Sequence, residues 1–316
     1  MKSRIFFVTD LHGSEPCFRK FLNAAKVYDA KVLILGGDLT GKMIVPIVEN
    51  AEGHWNTKFQ GQDMAVTSRD ELSKLESQIR SCGYYPYIAS KQEMNELESS
   101  AEKVHALFTT LMLEQVHRWM QLAEERLAPT GVKFYVTGGN DDPMEIEPLL
   151  NDSNYVINPE NKVVDIGDGV EMVSSGFGNI TPWKCPRDVD ENVLLEKLEV
   201  LACQVKNTER AIFNLHVPPY DSGIDLAPQL DKTLKVDTHA GTGVTMVPVG
   251  STAVRKIIEK YQPMIGLHGH IHESRGVSKI GRTTCINPGS EYGEGFLRGV
   301  AIDMDQKGFT YVLTSG

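Results

Sequence analysis

Two apolar runs near the start of the chain decide the fold: residues 5–13 read IFFVTDLHG, and residues 32–38 read VLILGGD. Each run has the length and the β-branched composition of a buried strand, and each ends in Gly, Asp or His. Between them, residues 15–27 show helical spacing of apolar positions, with Ser14 as the expected N-cap and Pro16 in the first turn. The resulting β-α-β unit places polar residues at the carboxyl ends of strands, where open α/β sheets bind ligands.

Strand and helix patterns alternate along most of the remaining chain, which predicts an α/β architecture. We expect further strands over residues 133–137, 171–175, 211–215, 264–267, 283–286, 299–303 and 309–313. Two further helices are expected near residues 189–206 and 251–261, the second of them capped by Ser251.

Residues 42–130 differ from this pattern and predict a mainly helical insertion within a single domain of residues 1–316. Residues 43–48 and 54–59 favour a hairpin, and Ser68 with Glu71 forms the capping box of a helix. One long helix is expected from about Lys91 to Leu127, with an apolar stripe that needs a covering surface. We expect the insertion to overhang the functional site as a cap; the alternative is an arm that joins two copies into a homo-oligomer.

Composition limits the classes of function. The 316 residues are 41% hydrophobic and 23% charged, a balance that supports a sizeable core. With a net charge of −10, the chain lacks the positive surface potential typical of nucleic-acid-binding proteins. No apolar run approaches the ~18 residues that a membrane-spanning helix needs. The five cysteines are scattered and form no C-x-x-C pair, so we expect free thiols and a cytoplasmic location.

Seven side chains able to bind a metal share one structural place, directly after a predicted strand. Taken singly, each motif is common, since Gly-Asp often forms a turn and a lone His is usually hydrogen-bonded. Their recurrence at five strand ends indicates a metal site instead. Residues two apart in an extended segment also share a face. The candidate ligands are Asp10, His12, Asp38, Asn140, His216, His270 and His272.

The order of these motifs, D-x-H, G-D, G-N, H and G-H-x-H, resembles that of the calcineurin-like metallophosphoesterase superfamily. The turn Asn287-Pro-Gly-Ser290 is similar to one in small phosphodiesterases of that superfamily. The resemblance implies a four-layer αββα sandwich of two mixed sheets and a centre of two divalent transition-metal ions, drawn from Mn, Fe, Co, Ni and Zn. One ion would be held by Asp10, His12 and His272 and the other by Asn140, His216 and His270, with Asp38 bridging them.

The same resemblance implies hydrolysis of a small phosphorylated substrate, a diester or a monoester, by attack of a metal-bridging hydroxide. Asp38, Asn140 and His216 would take part in catalysis. The alternatives are a nuclease of the same superfamily, which the acidic charge disfavours, and a non-catalytic scaffold, which the complete ligand set disfavours.

One position departs from the superfamily pattern. Many members carry His after the metal-binding Asn, where it assists the leaving oxygen, whereas this chain has Asp141. Asp141 would either repel phosphoryl oxygens in the active site or cap the turn before Pro143. Because the usual acid is missing in both cases, we predict that activated phosphodiesters are better substrates than unactivated monoesters.

Three further residues lie near the motifs. His268 would point to the opposite face from His270 and is expected to be packed or hydrogen-bonded. His239, in a Gly-rich stretch, either lines the substrate pocket or faces solvent. Arg275 either binds a phosphate oxygen or pairs with Glu273 on the surface.

Overall fold

Two mixed β-sheets packed face to face form the centre of the molecule, in a computed structural model that describes residues 3–50, 53–239 and 243–316. The first sheet has five strands, in the spatial order Gly308–Ser315, Arg298–Asp305, Ser3–Val8, Val32–Gly36 and Lys133–Thr137. The second has six, in the order Gly276–Ile280, Thr283–Asn287, Ile265–Leu267, Ala211–Leu215, Val170–Ser175 and Val163–Gly167.

Parallel strands occupy the middle of both sheets, and antiparallel strands complete both edges of the second sheet and one edge of the first. Ser3–Val8 pairs in parallel with Val32–Gly36, which pairs in parallel with Lys133–Thr137. Ala211–Leu215 pairs in parallel with both of its neighbours in the second sheet. The carboxyl ends of these parallel strands carry the loops that hold the candidate ligands.

Helices cover the outer faces of the two sheets and pack on the smaller sheet of the insertion described below. They are α1 Glu15–Val27, α2 Arg69–Ser81, α3 Lys91–Glu98, α4 Ala101–Leu127, α5 Ile146–Asn151, α6 Glu191–Ala202 and α7 Thr252–Tyr261. Short 3₁₀ turns lie at Ala128–Thr130, Thr208–Arg210 and Tyr292–Glu294. The predicted four-layer sandwich is confirmed.

Alternation along the strands separates the core into layers. In the first strand, Ile5 and Phe7 pack between the two sheets, whereas Phe6 and Val8 pack outwards against the layer of α1 and α4. In the second sheet, Ile212 joins the inter-sheet core and Phe213 joins the layer of α6 and α7. Each central strand is therefore buried on both faces, which explains its continuous apolar run.

The insertion, which lies between the strands Val32–Gly36 and Lys133–Thr137, has a small sheet of its own. Its strands follow the order Gln62–Val66, Trp55–Phe59, Ile44–Glu49 and Tyr85–Ser90. The expected hairpin is present, and the capping box of Ser68 and Glu71 starts α2 as predicted. Two strands were missed, because Gln62–Val66 is largely exposed and Tyr85–Ser90 contains a proline.

The prediction of a single long helix from Lys91 to Leu127 is wrong, because the helix is interrupted at Ser99 and Ser100. The Ser100 side chain accepts a hydrogen bond from the backbone N–H of Lys103 and so begins α4 as its N-cap. The buried stripe of α4 lies in its second half, at Met112, Gln115, Val116, Trp119, Met120, Ala123 and Leu127.

Three contacts attach the insertion to the loop that follows the first strand. Gln115 donates to the carbonyl of Gly13 at 3.0 Å, and the Trp119 indole donates to Glu15 at 2.7 Å. Ser14 occupies the N-cap position of α1 without capping it: its hydroxyl lies 3.1 Å from the carbonyl of Ser81 and 3.0 Å from that of Tyr292. The insertion is therefore packed against the first candidate metal loop.

Three two-stranded pairs complete the chain: Gly178–Asn179 with Asp188–Val189, Leu226–Pro228 with Met246–Pro248, and Thr238–His239 with Gly243–Val244. The five cysteines are free thiols. Across the described ranges, no helix is both long and apolar enough to cross a membrane.

Candidate metal centre

Five loops at the carboxyl ends of the central strands bring the predicted ligands together. Asp10 and His12 follow the first strand, Asp38 follows Val32–Gly36, and Asn140 follows Lys133–Thr137. From the second sheet, His216 follows Ala211–Leu215, and His270 and His272 follow Ile265–Leu267. The two facing sheets therefore supply ligands from opposite sides of one cleft.

One group consists of Asp10, His12 and His272, whose potential ligand atoms all lie within 4.8 Å of one another. The Nε2 atoms of His12 and His272 are 3.1 Å apart, and His272 Nε2 lies 3.5 Å from Asp10 Oδ1. Three donor atoms from two sheets thus converge on one point.

The second group consists of Asp38, His216 and His270, again within 4.8 Å. Asn140 joins it, because its Oδ1 lies 2.8 Å from Nδ1 of His270. The Nε2 atom of His216 is buried and has no hydrogen-bond partner among the described residues. A buried nitrogen without a hydrogen-bond partner is free to bind a metal ion.

Asp38 lies between the two groups. Its Oδ2 is 3.5 Å from Nε2 of His12 in the first group and 3.5 Å from Nε2 of His216 in the second. A single carboxylate can therefore reach both positions, as the predicted bridging ligand must.

Four candidate ligands have a left-handed backbone, which is uncommon for residues other than glycine. Their φ angles are 54° at Asp10, 40° at His12, 51° at Asp38 and 66° at His270. Such conformations cost of order 1–3 kcal/mol each and cluster at functional sites. Gly139 permits close approach as well, since a Cβ there would lie 2.2 Å from Oδ1 of Asp38. The loops are thus shaped around their side chains.

Burial and mutual contacts shift the pKa values of the carboxylates and imidazoles in this cluster. Although burial opposes it, the hydrogen bond to His272 lowers the pKa of Asp10 to about 2. Burial also opposes protonation of His216, yet the Asp38 and Asp10 carboxylates raise its pKa to about 10. Burial lowers the pKa of His12 to about 3 and that of His270 to about 4. A bound cation would take over the charge that the protons now supply.

The donor set fits a pair of divalent transition metals. It combines imidazole nitrogens with carboxylate and amide oxygens, the ligands preferred by first-row ions such as Mn, Fe, Co, Ni and Zn. The Nε2 atoms of His12 and His272 lie 3.1 Å apart, close enough for one cation to bind both. The residues present can therefore hold metal ions.

Asn140 is oriented by a carboxylate that the sequence analysis missed. Its Nδ2 donates to Oδ1 of Asp188 at 3.0 Å, which turns Oδ1 of Asn140 towards His270. The other oxygen of Asp188 accepts from the backbone N–H and hydroxyl of Thr181 and from the N–H of Cys185. Asp188 lies 48 residues from its partner, so no local motif reveals it.

A buried arginine is hydrogen-bonded to the loop that contains Asn140. Arg187 is fully buried, donates to the carbonyl of Asp142 at 2.8 Å and pairs with Glu147. Its own backbone N–H donates to the carbonyl of Asn140 at 3.1 Å. Because Arg187 is buried and bound to these groups, it is not available to a substrate.

The carboxylate that caps the turn after Asn140 is that of Asp142. It accepts hydrogen bonds from the backbone N–H of Gly139, Leu39 and Thr40 and from the Thr40 hydroxyl, at 2.6–2.9 Å. It therefore ties the loop of Asn140 to the loop of Asp38. Asp142, and not Asp141, therefore caps this turn.

Asp141 instead faces the cleft. Its backbone N–H donates to Asp38 Oδ1 at 3.0 Å, and its Oδ2 lies 3.9 Å from His12 Nδ1 and 3.2 Å from the ammonium of Lys42. The carboxylate also groups with His12 and Asp38 within 4.8 Å. The negative charge expected to repel phosphate is therefore paired with a cation.

The Asn287–Ser290 turn has a structural role at the centre. The buried Asn287 amide donates to the carbonyls of Gly269 and Ile271 and so holds the loop of His270. Ser290 donates to the carbonyl of Asp10 at 2.6 Å. The turn therefore fixes the ligand loops of both sheets.

The other predicted residues lie at different places. His268 is fully buried and turned away, with Nδ1 2.7 Å from the carbonyl of Leu215, as expected. Arg275 lines a groove of about 460 Å³ beside His272, and its guanidinium lies 3.5 Å from the carbonyl of Thr314. His239 lies in the strand Thr238–His239, and its side chain falls outside the described part of the structure.

The tyrosine that follows the Asn287–Ser290 turn, Tyr292, was also missed. Its ring centroid lies 4.6 Å from that of His12 and 5.7 Å from that of His272, and the residue lines the groove with Arg275. It packs against the first group of ligands at the side where the cleft opens.

Sequence comparison finds a relative that matches just under half of the chain. A stretch of 152 residues, 48% of this chain, is 36% identical to the uncharacterized protein MJ1162 of Methanocaldococcus jannaschii. The match spans 61% of the length of that relative. No family model matches the chain.

Structural comparison finds the same fold over nearly the whole chain. One crystal structure aligns over 99% of both chains, with a TM-score of 0.57 and 15% identity. A dimetal phosphatase from Danio rerio aligns over 98% of both chains at a TM-score of 0.43 and 9% identity. A novel archaeal phosphodiesterase aligns over 98% of this chain and 99% of its own, at 0.30 and 13%. At 15% identity, the likeness to the first of these structures is one of fold.

Proposed function

We propose that this chain, which has the fold of the calcineurin-like metallophosphoesterases, is a hydrolase of phosphoric esters with a centre of two divalent metal ions. The observation that carries the proposal is the position of Asp38, within 3.5 Å of a histidine from each of the two ligand groups. Two ions held there would supply Lewis acidity and a nucleophilic water at neutral pH.

The chain's own residues hold the reactive centre. Asp10, His12 and His272 are proposed to bind one ion, Asn140, His216 and His270 the other, and Asp38 both. Asp38, Asn140 and His216 thereby also position the phosphoryl group during catalysis. The groove beside His272, with Arg275 in its wall, is the proposed place for the rest of a small phosphorylated substrate.

Phosphodiesters are proposed as better substrates than monoesters. Position 141 carries a carboxylate where an imidazole would assist the leaving oxygen, so a good leaving group is favoured. The Lys42 ammonium, 3.2 Å from Asp141, offsets part of the repulsion that a dianionic monoester would meet. The preference therefore rests more on missing acid assistance than on charge repulsion.

The test measures kcat/KM for bis-p-nitrophenyl phosphate, phenyl phosphate and a 2′,3′-cyclic nucleotide, with Mn²⁺, Fe²⁺, Co²⁺, Ni²⁺ or Zn²⁺. We expect turnover of the diesters, and none after removal of the metals with a chelator. No turnover with any metal would instead favour a non-catalytic scaffold.

The substitution Asp141→His tests the basis of the preference. General acid catalysis typically contributes 10²–10⁴-fold, so the variant should gain more on phenyl phosphate than on bis-p-nitrophenyl phosphate, whose p-nitrophenolate is the better leaving group. Unchanged ratios between the substrates, or a wild-type preference for phenyl phosphate, would show that position 141 does not set the preference.

A further inference from the structure

Lys42 brings a cation to the edge of the proposed metal centre. Its Nζ lies 3.2 Å from Oδ2 of Asp141, while its side chain remains 43% exposed. Asp141 in turn donates its backbone N–H to Oδ1 of Asp38, the carboxylate common to both ligand groups. The ammonium is thus next to the site and still reachable from solvent.

The backbone around Lys42 is held more firmly than a surface ion pair requires. The N–H of Gly41 donates to the hydroxyl of Tyr85 at 2.7 Å, and the N–H of Tyr85 donates to the carbonyl of Met43 at 2.8 Å. Tyr85 is a buried residue of the insertion sheet. Both chain neighbours of the lysine are therefore bound to one fixed residue, which directs its side chain to the centre.

An ammonium suits the task of holding an anion at this position. It has three donor hydrogens, so it can keep its contact with Asp141 and still donate to a phosphoryl oxygen. Arg187, by comparison, is fully buried against Glu147 and cannot reach a ligand.

We propose that Lys42 binds the phosphoryl group of the substrate, and that Asp141 is a positioning residue that holds the ammonium beside the centre in the absence of an anion. This inference rests on the proposed phosphoesterase function. It assigns to the insertion a direct part in substrate binding, through its first residue.

The proposal predicts opposite effects for the two members of the pair. Loss of Lys42 removes a donor to the anion, whereas conversion of Asp141 to Asn removes a competing negative charge and keeps the side-chain shape. A pair that only stabilises the structure would respond in the same way to both changes.

The experiment titrates the metal-loaded protein with inorganic phosphate in a calorimeter, after the metal content of each variant has been measured. The variants are Lys42→Ala, Lys42→Arg and Asp141→Asn. Lys31→Ala is the matched control, because Lys31 forms a comparable pair with Asp29 at 2.9 Å on the exposed surface.

We expect Lys42→Ala to weaken phosphate binding roughly 10- to 100-fold, the usual effect of losing a charged hydrogen bond. Lys42→Arg should keep most of the affinity, since it keeps the charge, and Asp141→Asn should tighten binding roughly three- to tenfold. Lys31→Ala should bind as the wild type does, and all variants should keep the wild-type melting temperature.

Phosphate affinity of Lys42→Ala equal to that of Lys31→Ala would overturn the inference, as would equal weakening by Lys42→Ala and Asp141→Asn. Absence of phosphate binding by the metal-loaded wild type would overturn it as well. The assay needs no turnover, so failure of the hydrolase proposal in the substrate panel is separable from failure at Lys42.

Discussion

Asp38 is the residue on which both ligand groups depend. It is almost fully buried, and its Oδ2 lies 3.5 Å from Nε2 of His12 and from Nε2 of His216. Without this carboxylate, two cations bound at the centre would repel each other with no negative charge between them. We expect Asp38→Ala to lower the affinity for the metal pair by roughly 100-fold or more, beyond the usual effect of a residue that only orients a ligand.

Elemental analysis of the dialysed variant measures this loss directly. Asp29→Ala, which changes an exposed aspartate paired with Lys31, is the control and should retain both ions. Two tightly held ions in Asp38→Ala would contradict the bridging assignment.

Asp188 acts on the centre through another side chain. Because its Oδ1 accepts the hydrogen bond that orients Asn140, Asp188→Ala leaves the amide free to rotate away from His270. We expect a 10- to 100-fold loss of affinity for one of the two ions, the usual effect of removing an orienting partner. Competition with a metal-binding dye measures it.

Asp190→Ala is the matched control, two residues along the chain, because its side chain makes no cap hydrogen bond with α6. If Asp188→Ala keeps wild-type affinity for both ions, Asn140 is oriented by other contacts.

At the scale of elements, α4 attaches the insertion to the sandwich. The Trp119 ring stacks on that of Phe18 at 4.1 Å, and its indole donates to Glu15. We therefore expect Trp119→Ala to lower the free energy of unfolding by about 3–5 kcal/mol, the usual cost of truncating a buried tryptophan. Urea denaturation followed by circular dichroism checks this.

Trp183→Ala is the control for this substitution, because Trp183 is 65% exposed. Its effect should stay within about 0.5 kcal/mol. Equal stability of the two variants would mean that the insertion is only loosely attached to the core, as the alternative of a projecting arm requires.

The stability of the whole molecule should depend on the ionisation of Glu160. This residue is buried, its Oε2 accepts from the N–H of Gly176 at 2.8 Å, and its Oε1 has no partner among the described residues. Burial raises the pKa of Glu160 to about 7, above its ordinary value of 4.5. Between these two values the folded state binds more protons than the unfolded state, so stability falls as pH rises.

We expect the free energy of unfolding to lose up to roughly 3 kcal/mol between about pH 4.5 and pH 7.5 through this one group. Glu160→Gln should remove that part of the pH dependence, whereas Glu145→Gln, at an exposed position, should not. Both are measured with a chelator present, so that metal binding does not contribute. If the free energy of unfolding varied with pH in the same way for wild type and Glu160→Gln, ionisation of Glu160 would not destabilise the folded state.

The α/β architecture and the seven candidate ligands could be predicted from local signals, whereas the four-layer sandwich was implied by the resemblance to a known superfamily. A strand buried on both faces must be a continuous apolar run, as residues 32–36 are, and a ligand at its end must be a polar residue beside a turn. The strands of both central sheets were therefore predicted to within a few residues, apart from the edge strands Val163–Gly167 and Gly276–Ile280.

Local signals failed where two patterns overlapped. The predicted apolar stripe of residues 91–127 continued through Ser99 and Ser100, but the Ser100 side chain accepts a hydrogen bond from the N–H of Lys103 and begins a new helix. Only packing of the second half of α4 against α1 decided which residues were buried.

The sequence by itself determined which residue types could reach the centre, because strand order and alternation place them at one edge. Only the tertiary structure decided what holds and surrounds them. Asp188 orients Asn140 across 48 residues, and Lys42 approaches Asp141 across the whole insertion. Such contacts join loops from different sheets and layers, and their geometry depends on the packing of all the intervening elements, which no periodicity in a single segment encodes.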